Sequence, residues 1–136
     1  MTAMPRLTHI ALHVADLQAC IGFYSDYCRM AVIHHRDTPG HKVVWMAEPG
    51  REKDLIIVLL EGGPERPMLE NDYSHLGFAM TSKAEVDRVA RQAELNGDLI
   101  WPPVQEAYPV GYYCGLRDPN GNYVEFSYGQ PLGPGA

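Results

Sequence analysis

Hydrophobic and polar positions follow one pattern in the first half of the chain and repeat it in the second. Residues 7–14 and residues 73–80 are apolar segments typical of β-strands, and after each of them apolar residues recur at helical spacing. Three more strands are predicted after each helix, over 31–35, 42–47 and 55–60, and then over 99–101, 111–117 and 123–128. Pro102, Pro103 and Pro109 are expected to break the chain between the first two of the later strands. The sequence therefore predicts the order βαβββ twice.

Capping residues mark the ends of the two predicted helices. Asp16 is a favourable N-cap for the first helix. Ser82, followed three residues later by Glu85, forms the capping-box pattern that begins the second helix. Asn96 and Gly97 are typical of a helix C-terminus, because glycine accepts the left-handed conformation needed there. Both helices are thus delimited by local chemistry as well as by periodicity.

The repeat also predicts how the chain is organised. Residues 6–64 form the first module and residues 73–129 the second, joined by a loop at 65–72. A single domain over 1–136 is expected, because a unit this short must bury one face of its sheet against its partner. The tail at 130–136 is expected to be disordered.

Composition and charge exclude several classes of function. The net charge is −6 and no cluster of lysine or arginine occurs, which argues against a nucleic-acid partner. No apolar run approaches the roughly 20 residues of a membrane helix. An odd number of cysteines without CxxC spacing, in a chain without a signal-like start, predicts reduced thiols and a cytoplasmic location. These cysteines are Cys20, Cys28 and Cys114.

The repeat brings particular attention to two histidines and one glutamate. His9 and His75 hold equivalent positions in the first strand of each module, so a pseudo-two-fold axis would bring them together. Glu125 lies within the last predicted strand, between Val124 and Phe126. A carboxylate among core-type residues must be paired or must hold a metal, since an isolated buried charge is too costly. A strand histidine is ordinarily only a core or surface residue, but three such residues at repeat-related positions favour a metal site.

Several motifs resemble those of the vicinal oxygen chelate superfamily, which includes glyoxalase I, extradiol dioxygenases, fosfomycin-resistance transferases, methylmalonyl-CoA epimerase and bleomycin-binding proteins. They are His-x-x-x-x-Val-x-Asp-Leu at 9–17, Phe-Tyr at 23–24, Asp-Tyr-Ser-His at 72–75 and Asp-Pro-Asn-Gly-Asn-x-x-Glu at 118–125. The resemblance covers nearly the whole chain, residues 7–128. It implies an α+β fold in which two tandem βαβββ modules form a cup-shaped mixed sheet around a metal site.

The resemblance further implies that His9, His75 and Glu125 are the metal ligands. Two imidazoles and one carboxylate suit a divalent ion, with Fe²⁺ favoured and Mn²⁺, Zn²⁺ or Ni²⁺ as alternatives. A homodimer is also implied, and whether the modules pair within one chain or between two chains stays open.

One departure from the family pattern concerns a fourth ligand. In glyoxalase I and the epimerase, a Glu or Gln occupies the last strand of the first module, where this chain has Val58. Glu61 is three residues further on, so strand alternation turns it to the opposite face unless a bulge intervenes. A three-ligand site is therefore expected, without the proton-shuttling base of glyoxalase I.

Two further departures concern the acid and base groups. His13 shares a face with His9, where glyoxalase I carries a glutathione-binding arginine, and this weakens a glutathione-linked activity. No histidine follows His75, so the acid/base histidine of extradiol dioxygenases is absent, and Gly115 occupies the position of their tyrosine. His13 and Tyr113 remain as candidate catalytic groups, although His13 could equally be a partly exposed strand residue.

Aromatic residues provide candidates for a substrate cavity, although most such residues belong to ordinary cores. The candidates are Trp45, Phe78, Tyr108, Tyr112, Tyr113 and Phe126. The function favoured by the sequence is a metal-dependent enzyme that chelates vicinal oxygens of a small organic substrate, with a dioxygenase preferred. A lyase, isomerase or thiol transferase on the same site is the alternative. A ligand-sequestering protein of the bleomycin-resistance kind, without catalysis, is a third possibility.

Overall fold

Two compact units make up the chain, Met1–Arg66 and Pro67–Ala136. The computed structural model describes residues 4–65, 67–133 and 136. The division between the units falls within the predicted loop at 65–72. Residues 134 and 135 of the predicted disordered tail lie outside the described residues, so that expectation is not tested there.

The first unit is a mixed four-stranded sheet with one helix. Its strands lie in the order β1-β4-β3-β2, with β1 parallel to β4 and the other neighbours antiparallel. Its elements are β1 (His9–Val14), α1 (Leu17–Asp26), β2 (Ala31–Thr38), β3 (His41–Ala47) and β4 (Ile56–Glu61).

The second unit repeats this arrangement. Its strands lie in the order β5-β8-β7-β6, with β5 parallel to β8 and the other neighbours antiparallel. Its elements are β5 (His75–Ala79), α2 (Lys83–Asn96), β6 (Leu99–Glu106), β7 (Gly111–Arg117) and β8 (Tyr123–Tyr128). The two βαβββ modules predicted from the sequence are confirmed.

The predicted caps form at both helices. The Asp16 side chain accepts a hydrogen bond from the Ala19 backbone N–H at 3.0 Å. The Ser82 hydroxyl accepts one from the Glu85 backbone N–H at 3.2 Å. Gly97 follows the second helix in the left-handed conformation, with φ of 79°. Each bond satisfies a backbone donor that the first turn of a helix leaves without an intrahelical partner.

The core of the second unit lies on one side of its sheet. The apolar face of α2 is buried, through Val86, Val89, Ala90 and Ala93. The sheet residues buried with it alternate along β7 and β8, and they include Cys114, Leu116, Val124 and Phe126. The Cys114 thiol lies 3.9 Å from the Val86 carbonyl oxygen of α2. Residues between these positions therefore point to the opposite side of the sheet.

Strand β6 is longer than the sequence predicted. It continues from Leu99 to Glu106, through Pro102 and Pro103, which were expected to end it. The strand lies at the edge of the sheet, and its pairing with β7 shifts register on both sides of Trp101. An edge position with irregular pairing tolerates proline, because the missing N–H need not face a neighbouring strand.

No helix in the described part of the chain is long and apolar enough to cross a membrane.

Candidate functional site

One face of the second sheet carries two of the predicted ligands. Strand register aligns Gly77 of β5, Glu125 of β8 and Gly115 of β7, and His75 lies two residues before Gly77 on β5. Period-two alternation places these four residues on the side away from α2. This side is called the Glu125 face below. On it, His75 Nε2 lies 3.8 Å from Glu125 Oε2.

The His75 ring is held by a backbone oxygen. Its Nδ1 lies 2.6 Å from the Tyr73 carbonyl oxygen, and a carbonyl can only accept, so Nδ1–H donates this bond. In the singly protonated ring, Nε2 then carries a lone pair. Two acceptor atoms, Nε2 and a carboxylate oxygen, face each other at a distance that suits a cation between them. Metal-binding histidines ordinarily show this pattern, with the second ring nitrogen bonded to a carbonyl or carboxylate.

A turn immediately before β5 supports this arrangement. The Asp72 carboxylate accepts the Ser74 backbone N–H at 2.9 Å. Hydrogen bonds from Ser74 lower the pKa of the Asp72 carboxyl below its ordinary value. The Asp-Tyr-Ser-His motif thus fixes the backbone that provides the carbonyl partner of the histidine ring.

Glu125 is a nearly buried carboxylate with few partners. Its side chain is 10% exposed. Gln130 Nε2 lies 3.4 Å from Oε2, at the long end of hydrogen-bonding distance. A Cβ at Gly77 would be 3.5 Å from the same oxygen, so a side chain there would cover it. A desolvated carboxylate with one weak neutral donor is suited to a cation.

His9 holds the equivalent position in the first unit. It pairs with Ile56 in the parallel β1–β4 ladder, as His75 pairs with Tyr123 in the β5–β8 ladder. Its Nδ1 lies 2.9 Å from the Thr8 hydroxyl, which leaves Nε2 as the remaining ring nitrogen. The structure thus brings His75 and Glu125 together within one unit, while His9 belongs to the other. Among the described residues, no group of three or more His, Cys, Asp or Glu side chains is arranged to hold a metal ion.

The position considered for a fourth ligand is apolar, which agrees with the expected three-ligand site. Val58 pairs with Ala11 as Glu125 pairs with Gly77, so it is the repeat equivalent of Glu125. It is buried in an apolar cluster with Ala47 and Ile56. The ladder runs without a bulge to Glu61, which therefore faces the opposite side of the sheet from Val58.

The two candidate catalytic side chains lie in different units. The His13 ring lies against Gly63, where a Cβ would be 2.2 Å from Nδ1. The Tyr113 hydroxyl donates to Glu106 Oε2. This hydrogen bond, with burial and the charges of Glu106 and Glu125, raises the pKa of Tyr113 to about 12. Tyr113 pairs with Ser127, two residues beyond Glu125, and its phenol remains protonated at neutral pH.

Several predicted cavity residues lie elsewhere. Phe78 and Phe126 stack at 5.7 Å on the α2 side of the sheet. Tyr112 also faces that side, where its hydroxyl donates to Asp87 of α2 at 2.5 Å. Tyr108 is largely exposed. Side chains alternate between the two faces of a strand, so Phe78, Phe126 and Tyr112 lie on the face opposite to that of Glu125.

A residue that the sequence analysis did not select lies on the Glu125 face. The Trp101 indole covers Gly115, and its centroid is 5.9 Å from that of the His75 ring in an edge-to-face arrangement. The sequence predicted Trp101 only as the last residue of a short strand that ends before Pro102, so its pairing with Gly115 was not anticipated. A strand continued through the prolines and paired with β7 would have placed Trp101 on the same face as Gly115.

A family model described as the Glyoxalase/Bleomycin resistance protein/Dioxygenase superfamily matches residues 6–126. The chain therefore belongs to this superfamily, which confirms the resemblance seen in its motifs. A protein of Pseudomonas aeruginosa called "Uncharacterized protein PA2024" is 62% identical over 132 residues, covering 97% of this chain and 94% of that protein. Lactoylglutathione lyase of Salmonella typhimurium is 28% identical over 137 residues, covering 96% of this chain and 97% of the enzyme.

Solved structures share the fold. The fosfomycin resistance protein FosX of Listeria monocytogenes superposes with a TM-score of 0.77 at 21% identity, covering 95% of this chain and 97% of FosX. A FosX variant solved with Mn(II) and 1S,2S-dihydroxypropylphosphonic acid gives a TM-score of 0.76 at 21% identity, covering 95% of each chain. The chain thus shares its fold with these proteins, one of which has been solved with a divalent metal.

Proposed function

We propose that this protein is a metal-dependent enzyme in which His9, His75 and Glu125 hold one divalent ion that chelates vicinal oxygens of a small organic substrate. The observation that supports this most is the arrangement of His75 and Glu125. A ring nitrogen and a nearly buried carboxylate oxygen face each other at 3.8 Å, with the second ring nitrogen already bonded to a carbonyl. The repeat supports His9 as the third ligand, because it stands where His75 stands in the other module.

The residues present fit such an ion and suggest their own roles. A bound divalent ion would act as a Lewis acid that stabilises negative charge developing on the substrate oxygens. Tyr113 keeps its proton through the physiological range, so it is proposed as a hydrogen-bonding group for the substrate on the Glu125 face and not as an acid, with Glu106 positioning its hydroxyl. His13, on the face of β1 that carries His9, is the proposed substrate-contacting group of the first unit.

A dioxygenase is the favoured reaction class. Two histidines and one carboxylate form the ligand set of many non-haem iron(II) oxygenases, and Val58 supplies no fourth ligand. A lyase or isomerase is the second candidate. It is favoured by the similarity to lactoylglutathione lyase over nearly the whole chain.

Elemental analysis of protein purified without chelator or a histidine tag tests the metal. About one ion per chain is expected in the wild type and much less in Glu125→Ala, while His35→Ala, a strand histidine with no proposed role, keeps the ion. No metal in the wild type, even after anaerobic reconstitution with Fe(II), Mn(II), Zn(II) or Ni(II), would contradict the proposal and favour a binding protein without catalysis.

Oxygen uptake separates the two reaction classes. A dioxygenase should consume oxygen with a catechol and lose this activity when its iron is oxidised. Turnover of a substrate under strict anaerobiosis with Mn(II), Zn(II) or Ni(II) would favour the lyase class instead.

A further inference from the structure

We propose that Trp101 is the specificity-determining residue of this site and that it selects a substrate with a planar aromatic group beside its chelating oxygens. This inference rests on the proposed metal site and adds the chemical class of its substrate. Its support is the position of the Trp101 indole on the Glu125 face and the contacts that the indole makes there.

The Trp101 indole fills the position that a side chain at residue 115 would take. A Cβ built on Gly115 would be 2.1 Å from Cε3 and 2.7 Å from Cδ2 of the indole. Gly115 is in register with Glu125 on one side and with Trp101 on the other. The glycine therefore allows an aromatic ring from the edge strand to lie on the sheet next to the carboxylate.

The indole also contacts rings on the histidine side of the same face. Its centroid is 5.3 Å from Tyr123 and 5.9 Å from His75, both in edge-to-face geometry. Tyr73, whose carbonyl holds the His75 ring, lies 6.4 Å away. Trp101 thereby packs against one proposed ligand and stands beside the other.

The indole remains accessible for a ligand. Trp101 and Tyr123 are only half-buried, and the side chain of His75 is 36% exposed. Aromatic rings prefer offset or edge-to-face contacts with further rings, each worth a few-fold in affinity. A substrate whose oxygens reach His75 and Glu125 would bring its neighbouring atoms to this surface, so a planar ring is favoured there over a small aliphatic group.

A matched pair of probes tests the inference. Mandelate and lactate carry the same carboxylate and hydroxyl oxygens, but mandelate has a phenyl group where lactate has a methyl group. Calorimetric titration of Mn(II)-loaded wild type should give mandelate an affinity about three- to tenfold higher than lactate. Trp101→Leu should lose this preference while keeping its Mn(II) affinity within about threefold. Trp45→Leu, which changes the other tryptophan, should keep the preference.

Fluorescence provides a second readout that leaves Trp101 intact. In Trp45→Phe, Trp101 is the only tryptophan, so mandelate should change the emission with the midpoint found by calorimetry. Equal affinities for mandelate and lactate, a preference retained in Trp101→Leu, or unchanged Trp101 emission at saturating mandelate would overturn the inference. Failure to bind Mn(II) at all would instead overturn the metal site itself, and this is measured separately in the titration with the metal alone.

Discussion

Replacing Gly115 with alanine tests the packing of Trp101 directly. The added Cβ would lie 2.1 Å from Cε3 of the indole, whereas carbon atoms normally pack at about 3.5–4.0 Å. The indole must therefore move by about 1.5 Å. Overpacking of this kind costs about 1–3 kcal/mol, and the lower part of that range is expected because the half-buried ring can shift toward solvent.

A double-mutant cycle isolates this clash from other effects of the substitution. Gly115 has no left-handed φ, so alanine is sterically acceptable to the backbone itself. With Trp101→Ala already present, Gly115→Ala should be neutral or stabilising by up to about 1 kcal/mol, because alanine restricts the unfolded chain. The expected coupling between the two substitutions is at least about 1 kcal/mol.

Urea unfolding of the wild type, the two single variants and the double variant measures the coupling. Gly77→Ala is the matched control, since it flanks Glu125 on the other side and its Cβ would meet Oε2 at an ordinary 3.5 Å. It should likewise be neutral or stabilising by up to about 1 kcal/mol, without a clash to offset. Equal costs of Gly115→Ala with and without Trp101 would refute the packing argument.

Further predictions concern other parts of the chain. Val58→Glu places an uncompensated carboxylate in an apolar cluster and should cost about 3 kcal/mol of stability when a chelator keeps metal away. If the new carboxylate reaches the proposed metal site, Mn(II) should raise the Tm of this variant more than that of the wild type. An equal Tm shift would count against the site. Burial raises the pKa of the Cys114 thiol to about 12. The folded state thus holds the thiol proton more tightly than the unfolded state. The protonated thiol therefore contributes fully to the free energy of unfolding below its ordinary pKa of 9.0, and this contribution is lost as pH rises toward about 12. Urea-derived stability of the wild type should fall more steeply over that window than that of Cys114→Ala, and parallel curves would contradict the assignment. Ser82→Ala removes the N-cap of α2 and should lower the free energy of unfolding by about 1 kcal/mol, measured with urea. An unchanged free energy of unfolding would contradict the importance of this cap. Gel filtration should show a homodimer, and a compact monomer would contradict that prediction.

The fold could be predicted from the sequence because its local signals agree with each other. Asp16 and Ser82 form the helix caps that their positions indicated. β7 and β8 begin and end where the apolar pattern begins and ends. Turn chemistry at Asp118–Gly121 fixed the start of the last strand, since Asp118 accepts the Asn120 backbone N–H as expected for such a turn.

The site could be predicted only in part. Repeat equivalence led to His75, and the position of a carboxylate within a core-type strand led to Glu125. These two side chains lie 3.8 Å apart, and their role as metal ligands remains a prediction. The placement of Trp101 on the Glu125 face could not be predicted from local rules, because Pro102 and Pro103 argue against a strand that tertiary pairing nevertheless forms at the sheet edge. The role of His9 as the third metal ligand remains a prediction. It depends on how two modules associate, and the sequence pattern of a single module does not determine that.

The most direct test of the proposed metal site is a cobalt titration of metal-stripped protein, followed by visible absorption. We expect one equivalent of Co(II) to saturate the wild type and His35→Ala. The affinity for Co(II) should be at least tenfold weaker in each of the variants His9→Ala, His75→Ala and Glu125→Ala. Unchanged cobalt binding in His9→Ala would contradict the three-ligand site, and unchanged binding in all three variants would contradict the proposed function as a whole.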